Sequence, residues 1–438
     1  MTFKPLPEGV SCGCQFYLTE PAPTDQFDIN ALELEDGGND VAHIPVDSGE
    51  ASVVEVGVKL ANALATNGNV RSELDDTDNG GKSFYFEIDA DYADRPAWES
   101  LYYKNRFLAL GPRSSVGRMC GARDQQDLPE RYITLNPFRV LAVLGVPNIA
   151  SQEYEKIYDI FFPRKWAARL PLELKVLTSN EDLVADIEAH PMDGISAELI
   201  EDKWSVTNWI KDFRPKIIHI SSDVTEGTSP CIRITKHQGN GISEALLEAS
   251  ELFNFGDVLQ LVWLITLSGS ADDGVIGADE ERMKAHPMKG STAIARSLVR
   301  HGFPASIGVR DGATWGNVNE FYRRFYDTTL RAIANIPPGG DGVQVDWANL
   351  LVEARKALHD DANTGSHWAL PVIYCRPTAV TLARFNATDT PDNLAIAAEI
   401  RTLSRIVEHM NASKISERDT LIAPIVARIR ELMQKLQQ

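Results

Sequence analysis

A series of short, continuously apolar segments that alternate with amphipathic ones constrains the fold of this chain most strongly. The apolar runs lie at 138–144, 172–177, 216–221, 258–266, 305–309 and 371–374. Segments with helical periodicity lie between several of them, at 181–189, 292–301 and 347–358. A strand that is buried on both faces is apolar throughout, and parallel strands are joined by helical crossovers. The series predicts an α/β sandwich with a mostly parallel, six-stranded sheet.

The character of the chain changes on both sides of this series. Residues 20–50 contain many Asp and Glu but no Lys or Arg, which predicts a solvated acidic arm. After Pro377, a Thr390-Pro391 helix start precedes two amphipathic segments. We therefore expect an N-terminal segment at 1–94 that leads into the core, a core domain at 95–377, and a helical hairpin at 378–438. The hairpin either packs on its own domain or pairs with a second subunit.

Charge and cysteine content bear on the partners and the location of the protein. A formal net charge of −19 disfavours binding to nucleic acid or to anionic lipid. No apolar run approaches the roughly 20 residues that span a bilayer, and Met1-Thr2-Phe3-Lys4 does not resemble a secretory signal. The five cysteines are odd in number and lack zinc-like spacing, so we expect reduced thiols, no metal and a cytoplasmic location.

Polar residues follow two of the predicted strands at the point where each strand ends. The first strand end contains His219, Ser222 and Asp223, and the second runs through Ser268 into Asp272 and Asp273. In open parallel sheets, functional groups collect beyond the carboxyl ends of the strands. A small, Gly-containing turn there is compatible with a nucleophile loop, because backbone amides must approach an oxyanion, and also with an ordinary loop.

Several segments taken together resemble CHAT domains, which are bacterial relatives of caspases and separases. In family order these segments are 95–102 (RPAWESLY), 107–110 (FLAL), 138–142 (FRVLA), 215–221 (PKIIHIS), 300–308 (RHGFPASIG), 321–330 (FYRRFYDTTL) and 367–374 (HWALPVIY). The resemblance implies a caspase-like α/β/α sandwich. It also implies a peptidase active site with a histidine base after the first strand and a cysteine nucleophile after the second.

The chain departs from the family pattern at both catalytic positions. Asp223 stands where the family has its catalytic histidine, and Val224 replaces the following glycine. Ser268 stands at the cysteine position, or Leu267 does if the alignment shifts by one residue. A serine nucleophile needs a base that takes its proton and later returns it, and an aspartate with a pKa near 4 is poorly suited to that exchange. No intact catalytic pair is therefore expected.

The remaining polar and aromatic residues near these strand ends are candidates for a binding cleft. Asp272, Asp273 and Asp311 would line a pocket for a basic side chain, or would only solvate their loops. By resemblance, Trp315 lies where family members frame the substrate cleft. His219 should point into the strand layer rather than at Ser268.

These observations lead to one expected function and two alternatives. We expect an inactive CHAT protein without a cofactor that binds a protein or peptide partner, by analogy in a bacterial conflict or signalling system. The first alternative is an active peptidase that cleaves after a basic residue. The second is a scaffold that forms homo-oligomers through its C-terminal helices.

Overall fold

The structure is a computed structural model in which fifteen ranges of the chain are described. These are residues 14–16, 50–66, 68–75, 83–88, 94–112, 114–121, 128–129, 131–162, 169–225, 230–238, 241–253, 261–269, 290–361, 364–412 and 418–438. The predicted acidic arm at 20–50 lies outside these ranges except for its last residue. Asp272 and Asp273 also lie outside the described residues.

The described strands and helices alternate along most of the chain. In chain order the strands are β1 (Cys14–Phe16), β2 (Phe84–Glu87), β3 (Tyr102–Tyr103), β4 (Arg106–Phe107), β5 (Val116–Met119), β6 (Arg131–Asn136), β7 (Phe138–Leu144), β8 (Leu172–Thr178), β9 (Ile195–Leu199), β10 (Ile217–Ser221), β11 (Val224–Thr225), β12 (Cys231–Gln238), β13 (Gly241–Glu248), β14 (Leu264–Leu267), β15 (Ala305–Val309), β16 (Val343–Gln344), β17 (Pro371–Cys375) and β18 (Thr381–Thr388). The helices are α1 (Glu50–Leu64), α2 (Gly68–Asp75), α3 (Ala150–Phe161), α4 (Glu181–Ala189), α5 (Trp204–Phe213), α6 (Ala249–Phe253), α7 (Thr292–Arg300), α8 (Trp315–Ala334), α9 (Trp347–Leu350), α10 (Val352–His359), α11 (Pro391–Ala412) and α12 (Arg418–Gln437).

A large mixed sheet forms the centre of the molecule, and the predicted α/β class with a mostly parallel sheet is confirmed. Among the described residues its strand order is β1-β2-β5-β17-β15-β14-β10-β7-β8-β9. Every neighbouring pair is parallel except β15 and β17. Strands β10, β14, β15 and β17 are buried along their whole length, so both faces of the sheet are covered. This arrangement is consistent with a caspase-like sandwich.

The predicted number of six strands is wrong, because ten described strands belong to this sheet. All six predicted runs contribute a strand, and β1, β2, β5 and β9 extend the sheet on both sides. Two of the additional strands lack an apolar run for physical reasons. Strand β5 contains Gly117 and the buried Arg118, and β9 is an edge strand in which half-buried and exposed residues alternate. Edge strands are often shorter and more polar than central ones.

The C-terminal hairpin packs on its own chain, which was the first of the two predicted arrangements. Helices α11 and α12 lie on the small sheet β16-β18-β6 and bury Ala397, Ile400 and Leu432 against Phe385. The strand β18 was not predicted, although it lies within the range assigned to the hairpin. No helix in the described part of the chain has the length and apolar composition that crossing a bilayer requires.

A buried ion-pair network anchors residues 94–99, which include the first five residues of the RPAWESLY motif, to the main sheet. Arg118 is fully buried and contacts both carboxylate oxygens of Glu99, at 3.0 and 2.7 Å, and one oxygen of Asp94 at 2.5 Å. Trp98 stacks on Phe86 with ring centroids 4.2 Å apart. Burial by itself would raise the pKa of Glu99, but attraction to Arg118 outweighs burial and lowers it. The motif therefore has a structural role in this chain.

Candidate functional site

The two polar strand ends lie side by side in the sheet. Strands β10 and β14 are parallel neighbours, with Ile220 opposite Leu267. The residues that follow them therefore emerge at the same edge, as expected for parallel strands. Helix α3 and the first turn of α8 contribute further side chains at this edge.

Ser268 is buried at this edge and contacts main-chain groups. Its side chain and backbone are only 4 % exposed, and its amide donates to the carbonyl of Ile220 at 3.0 Å. Its hydroxyl lies 3.4 Å from the carbonyl oxygen of Ile220 and 3.3 Å from that of Gly269. A nucleophilic hydroxyl needs a basic side chain within hydrogen-bond reach. Within the described residues, the hydrogen bonds of this hydroxyl go to carbonyl groups instead.

Asp223, just after the end of strand β10, faces strand β12. Its carboxylate lies 3.9 Å from the guanidinium of Arg233, and its carbonyl accepts a hydrogen bond from the Arg233 amide at 2.9 Å. Ser222 is buried and its hydroxyl donates to the carbonyl of Arg233. Gly145 lies directly against Ser222, since a Cβ at Gly145 would come within 2.8 Å of the Ser222 Cβ. These contacts hold the β12 strand against the sheet.

His219 points into the layer between the sheet and helix α8. Its Nδ1 lies 2.9 Å from the Thr266 hydroxyl and 3.1 Å from that of Tyr326. Burial lowers the pKa of His219 to about 4, so the ring is neutral at pH 7. With 4 % exposure it does not lie on a surface that a bound peptide can contact.

Glu153 is the principal site residue that sequence reasoning missed. It lies in the first turn of α3, is 4 % exposed, and accepts a hydrogen bond from the Ser221 hydroxyl. Burial raises the pKa of Glu153 to about 8, against hydrogen bonds from Ser221 and Trp315 that favour the ionised form. The negative charge of Asp223 raises it further. At neutral pH Glu153 is therefore largely a neutral carboxylic acid.

Two other predicted residues have packing or anchoring roles. Trp315 is 2 % exposed, begins α8, and faces the Glu153 carboxyl rather than an open cleft. Asp311 is exposed, and its carboxylate accepts a hydrogen bond from the Gly290 amide at 2.6 Å. Asp311 thereby anchors the chain at the position where the described residues resume after 269.

The described part of the site contains hydroxyl and carboxyl groups but no histidine base paired with a thiol. Three of the cysteines, Cys120, Cys231 and Cys375, are buried, and burial raises the pKa of each. Such thiols are not reactive nucleophiles. No group of His, Cys, Asp and Glu side chains suited to hold a metal ion occurs among the described residues.

Comparisons with known proteins give weak structural similarity and no sequence match. No protein-family model and no curated protein sequence matches the chain. The structure is similar to the crystal structure of the Saccharomyces cerevisiae separase–securin complex, with 11% sequence identity and a TM-score of 0.34. The matched region covers 74% of this chain but only 18% of the other. A similarity this low does not decide the function, so the strand topology and the side-chain geometry carry the functional reasoning.

Proposed function

We propose that this protein is a catalytically inactive, caspase-like protein of the CHAT type that binds a protein or peptide partner. By analogy with CHAT proteins, it would act as a recognition or regulatory subunit in the cytoplasm, in a bacterial conflict or signalling system. The proposal includes no metal and no cofactor.

The proposal rests mainly on the environment of Ser268. Its hydroxyl is directed at main-chain carbonyls. The Asp223 carboxylate faces Arg233, and the His219 ring lies between the sheet and helix α8. Because none of these three side chains contacts another, there is no described route for a proton from Ser268 to a base. The neutral Glu153 carboxyl contacts Ser221 and cannot readily accept a further proton.

An extended partner segment would bind by adding a strand to an open sheet edge. Strand β13 is an edge of the small sheet β11-β12-β13, and its Leu246 is 47 % exposed. This sheet begins at Val224, directly after the strand-end site. The net charge of −19 favours a partner segment that contains Lys or Arg.

Peptide cleavage distinguishes this proposal from the peptidase alternative. The protein is incubated with a mixed peptide library that contains Arg and Lys at every position, and products are identified by mass spectrometry. We expect no cleavage by the wild type. Cleavage that is lost in Ser268→Ala but retained in the control Ser196→Ala, which changes an exposed serine, would establish the peptidase instead.

Partner capture tests the binding proposal itself. Proteins from a native lysate are captured on the wild type and on Leu246→Lys and identified by mass spectrometry. A partner that binds by strand addition at β13 should be retained by the wild type and lost with the variant. An identical set of captured proteins would place the binding surface elsewhere.

Formation of homo-oligomers through the C-terminal hairpin is a further proposal. Ile406 on α11 and Leu421 on α12 are 41 % and 46 % exposed, which leaves apolar surface available for a second copy. Light scattering after size-exclusion chromatography should give a lower mass for the double variant Ile406→Glu, Leu421→Glu if these residues form the contact. An unchanged mass excludes this contact.

A further inference from the structure

A cleft with several cationic side chains lies between the main sheet and the C-terminal hairpin. Arg139 on β7 and Lys216, which immediately precedes β10, line it from the main sheet. Leu135 on β6 and Arg401 on α11 line it from the small sheet and the hairpin. Ser222 lies beyond the other end of β10, and the five residues of that strand span about 16 Å, so the cleft is separate from the strand-end site.

The starts of two neighbouring strands bring two of the cations together. Strands β7 and β10 are parallel, with Val140 opposite Ile217. Lys216 therefore lies beside Arg139, and its amide donates a hydrogen bond to the Arg139 carbonyl at 2.8 Å. Residues side by side on parallel strands project from the same face of the sheet, so both side chains reach the same cleft.

Arg214 adds a third cation from an unfavourable backbone position. It follows the last residue of α5 in the left-handed conformation, with a φ of 54°. Glycine is the usual residue at such a helix end, because a Cβ destabilises the left-handed conformation. An arginine there weakens the local backbone, and residues held in this way are often retained for a function of the side chain.

Positive charge exceeds negative charge around the cleft, in a chain whose net charge is −19. The cationic lining residues are Arg139, Arg214, Lys216 and Arg401. Asp389 is the acidic one among the described lining residues, and it pairs with Arg139. Arg139 also contacts Glu173 at 2.8 Å, so two carboxylates surround this one guanidinium. Arg214 and Lys216, by contrast, form no ion pair with a described residue.

The cations repel one another, and Lys216 shows the effect. This half-buried lysine has a pKa of about 7, which burial lowers most and the surrounding charges lower further. The repulsion comes from Arg401, Arg214 and Arg139. Attraction to Asp389 opposes the shift without cancelling it. An anion in the cleft would offset the repulsion and favour the charged form of the lysine.

The size of the cleft limits the ligand to a small charged group. The cavity has a volume of about 20 Å³, which is room for about one water molecule or one oxygen atom of a ligand. The four cationic residues are half-buried, so each retains surface that a ligand at the mouth of the cavity can reach. A terminal anionic group therefore fits, with one oxygen inside and the others at the mouth, whereas a ring system does not.

The charge of the cleft defines the group further. Arg214 and Lys216 provide two positive charges without a carboxylate partner, which matches a dianion, and guanidinium groups bind phosphate oxygens well. A phosphate group carries close to two negative charges at neutral pH. We propose that the cleft binds a phosphate group, either as free phosphate or as the phosphate ester of a small molecule, beside Arg214 and Lys216. This site is independent of the partner surface proposed above.

Isothermal titration calorimetry of the full chain with inorganic phosphate and with phenyl phosphate tests the proposal, at an ionic strength kept constant with sodium chloride. We expect a dissociation constant of about 1 mM or lower, because hydrogen bonds to charged groups are among the strongest. Tighter binding of phenyl phosphate would identify an ester as the ligand, and tighter binding of phosphate the free ion. Phenyl sulfate is the matched control, since it has the same shape but one negative charge less, and it should bind at least about tenfold more weakly than phenyl phosphate. Equal affinity for these two esters, or no binding of either phosphate probe at millimolar concentration, would overturn the proposal.

Two substitutions locate the binding site. Arg214→Gly and Lys216→Met each remove one charge and should each weaken binding of the phosphate probes about tenfold. Arg214→Gly should do so without lowering the melting temperature, because glycine favours the left-handed conformation at this position, so a loss of affinity cannot be ascribed to unfolding. The control Lys211→Met changes an exposed lysine of α5 that does not line the cleft, and it should leave the affinity unchanged. Unchanged affinity in either Arg214→Gly or Lys216→Met would refute the site.

Discussion

Replacing Glu153 with glutamine should change how the stability of the protein depends on pH. Burial raises the pKa of this carboxyl from its usual 4.5 to about 8, so between these values the folded state holds a proton that the unfolded state releases. Stability from this group is therefore fully present below pH 4.5 and is lost as the pH rises through about 8. Glutamine keeps the size and the neutral charge of the protonated acid, so Glu153→Gln should remove this dependence.

The size of the effect follows from the shift in pKa. Each unit of pH within the window changes the free energy of unfolding by at most about 1.4 kcal/mol. Between pH 5 and pH 8 the variant should therefore gain up to about 4 kcal/mol relative to the wild type. Relaxation of the site on ionisation will reduce this difference in the free energy of unfolding. Even about half of it is large compared with the total stability of a domain.

The variant must be compared with the wild type at each pH, because two other groups make the stability change with pH in the opposite direction. Burial lowers the pKa of His219 from 6.5 to about 4, so His219 makes the wild type more stable as the pH rises through that interval. Burial also lowers the pKa of Lys216 from 10.5 to about 7, with the same sign above pH 7. Both contributions cancel when the variant is subtracted from the wild type at each pH.

The assay is urea unfolding at pH 5, 6, 7 and 8, followed by circular dichroism. The control Glu155→Gln changes an exposed carboxylate of the same helix and should track the wild type. If the difference between Glu153→Gln and the wild type stays constant within about 0.5 kcal/mol across this range, Glu153 does not hold a proton in the folded state, and the reasoning is refuted.

Three further substitutions test the packing of the fold. Gly145→Ala should lower the free energy of unfolding by about 1–3 kcal/mol, because the added Cβ would overlap the side chain of Ser222. The control Gly121→Ala adds a Cβ in open space and should be neutral. Equal melting temperatures for the two variants would contradict this. Leu432→Ala should lower the free energy of unfolding by about 2–5 kcal/mol, because Leu432 is buried against the small sheet. The control Leu421→Ala changes an exposed side chain and should lower it much less. Equal losses of stability in urea unfolding would mean that the hairpin does not pack on the small sheet. Arg118→Met should cost about 3–5 kcal/mol, since it leaves the fully buried carboxylate of Glu99 without its ion-pair partner, and a variant as stable as the wild type would rule out the network.

Burial on both faces could be predicted from the sequence, and non-local pairing could not. The central strands were found because a fully buried strand is apolar throughout. Strand β5 was missed because Arg118 makes it look like a loop. Its charge is compensated by Glu99, which lies 19 residues away and has no sequence signal of its own.

The candidate site divides in the same way. Because the strands were expected to be parallel, the residues around Asp223 and Ser268 were expected to emerge at the same edge of the sheet. The importance of Glu153 was not visible, since a glutamate in the first turn of a helix is usually exposed and favours the helix dipole. Its contact Ser221 lies 68 residues away, and only the folded structure shows that the pair is buried.

The two ends of β14 differ in how their polar groups are satisfied, and the carboxyl end supports the proposal of an inactive site. At the carboxyl end, the hydroxyl of Ser268 has main-chain partners within the described chain, and so does the hydroxyl of Ser222, which follows the neighbouring strand β10. Groups that are already paired add rigidity but have no unpaired donor or acceptor to offer a reacting substrate. At the amino end of β14, the indole nitrogen of Trp263 and the nearby hydroxyl of Thr329 are buried and have no hydrogen-bond partner among the described residues. Because a buried polar group without a partner destabilises the folded state, these two groups lower the stability of the sheet, whereas the paired hydroxyls at the carboxyl end do not.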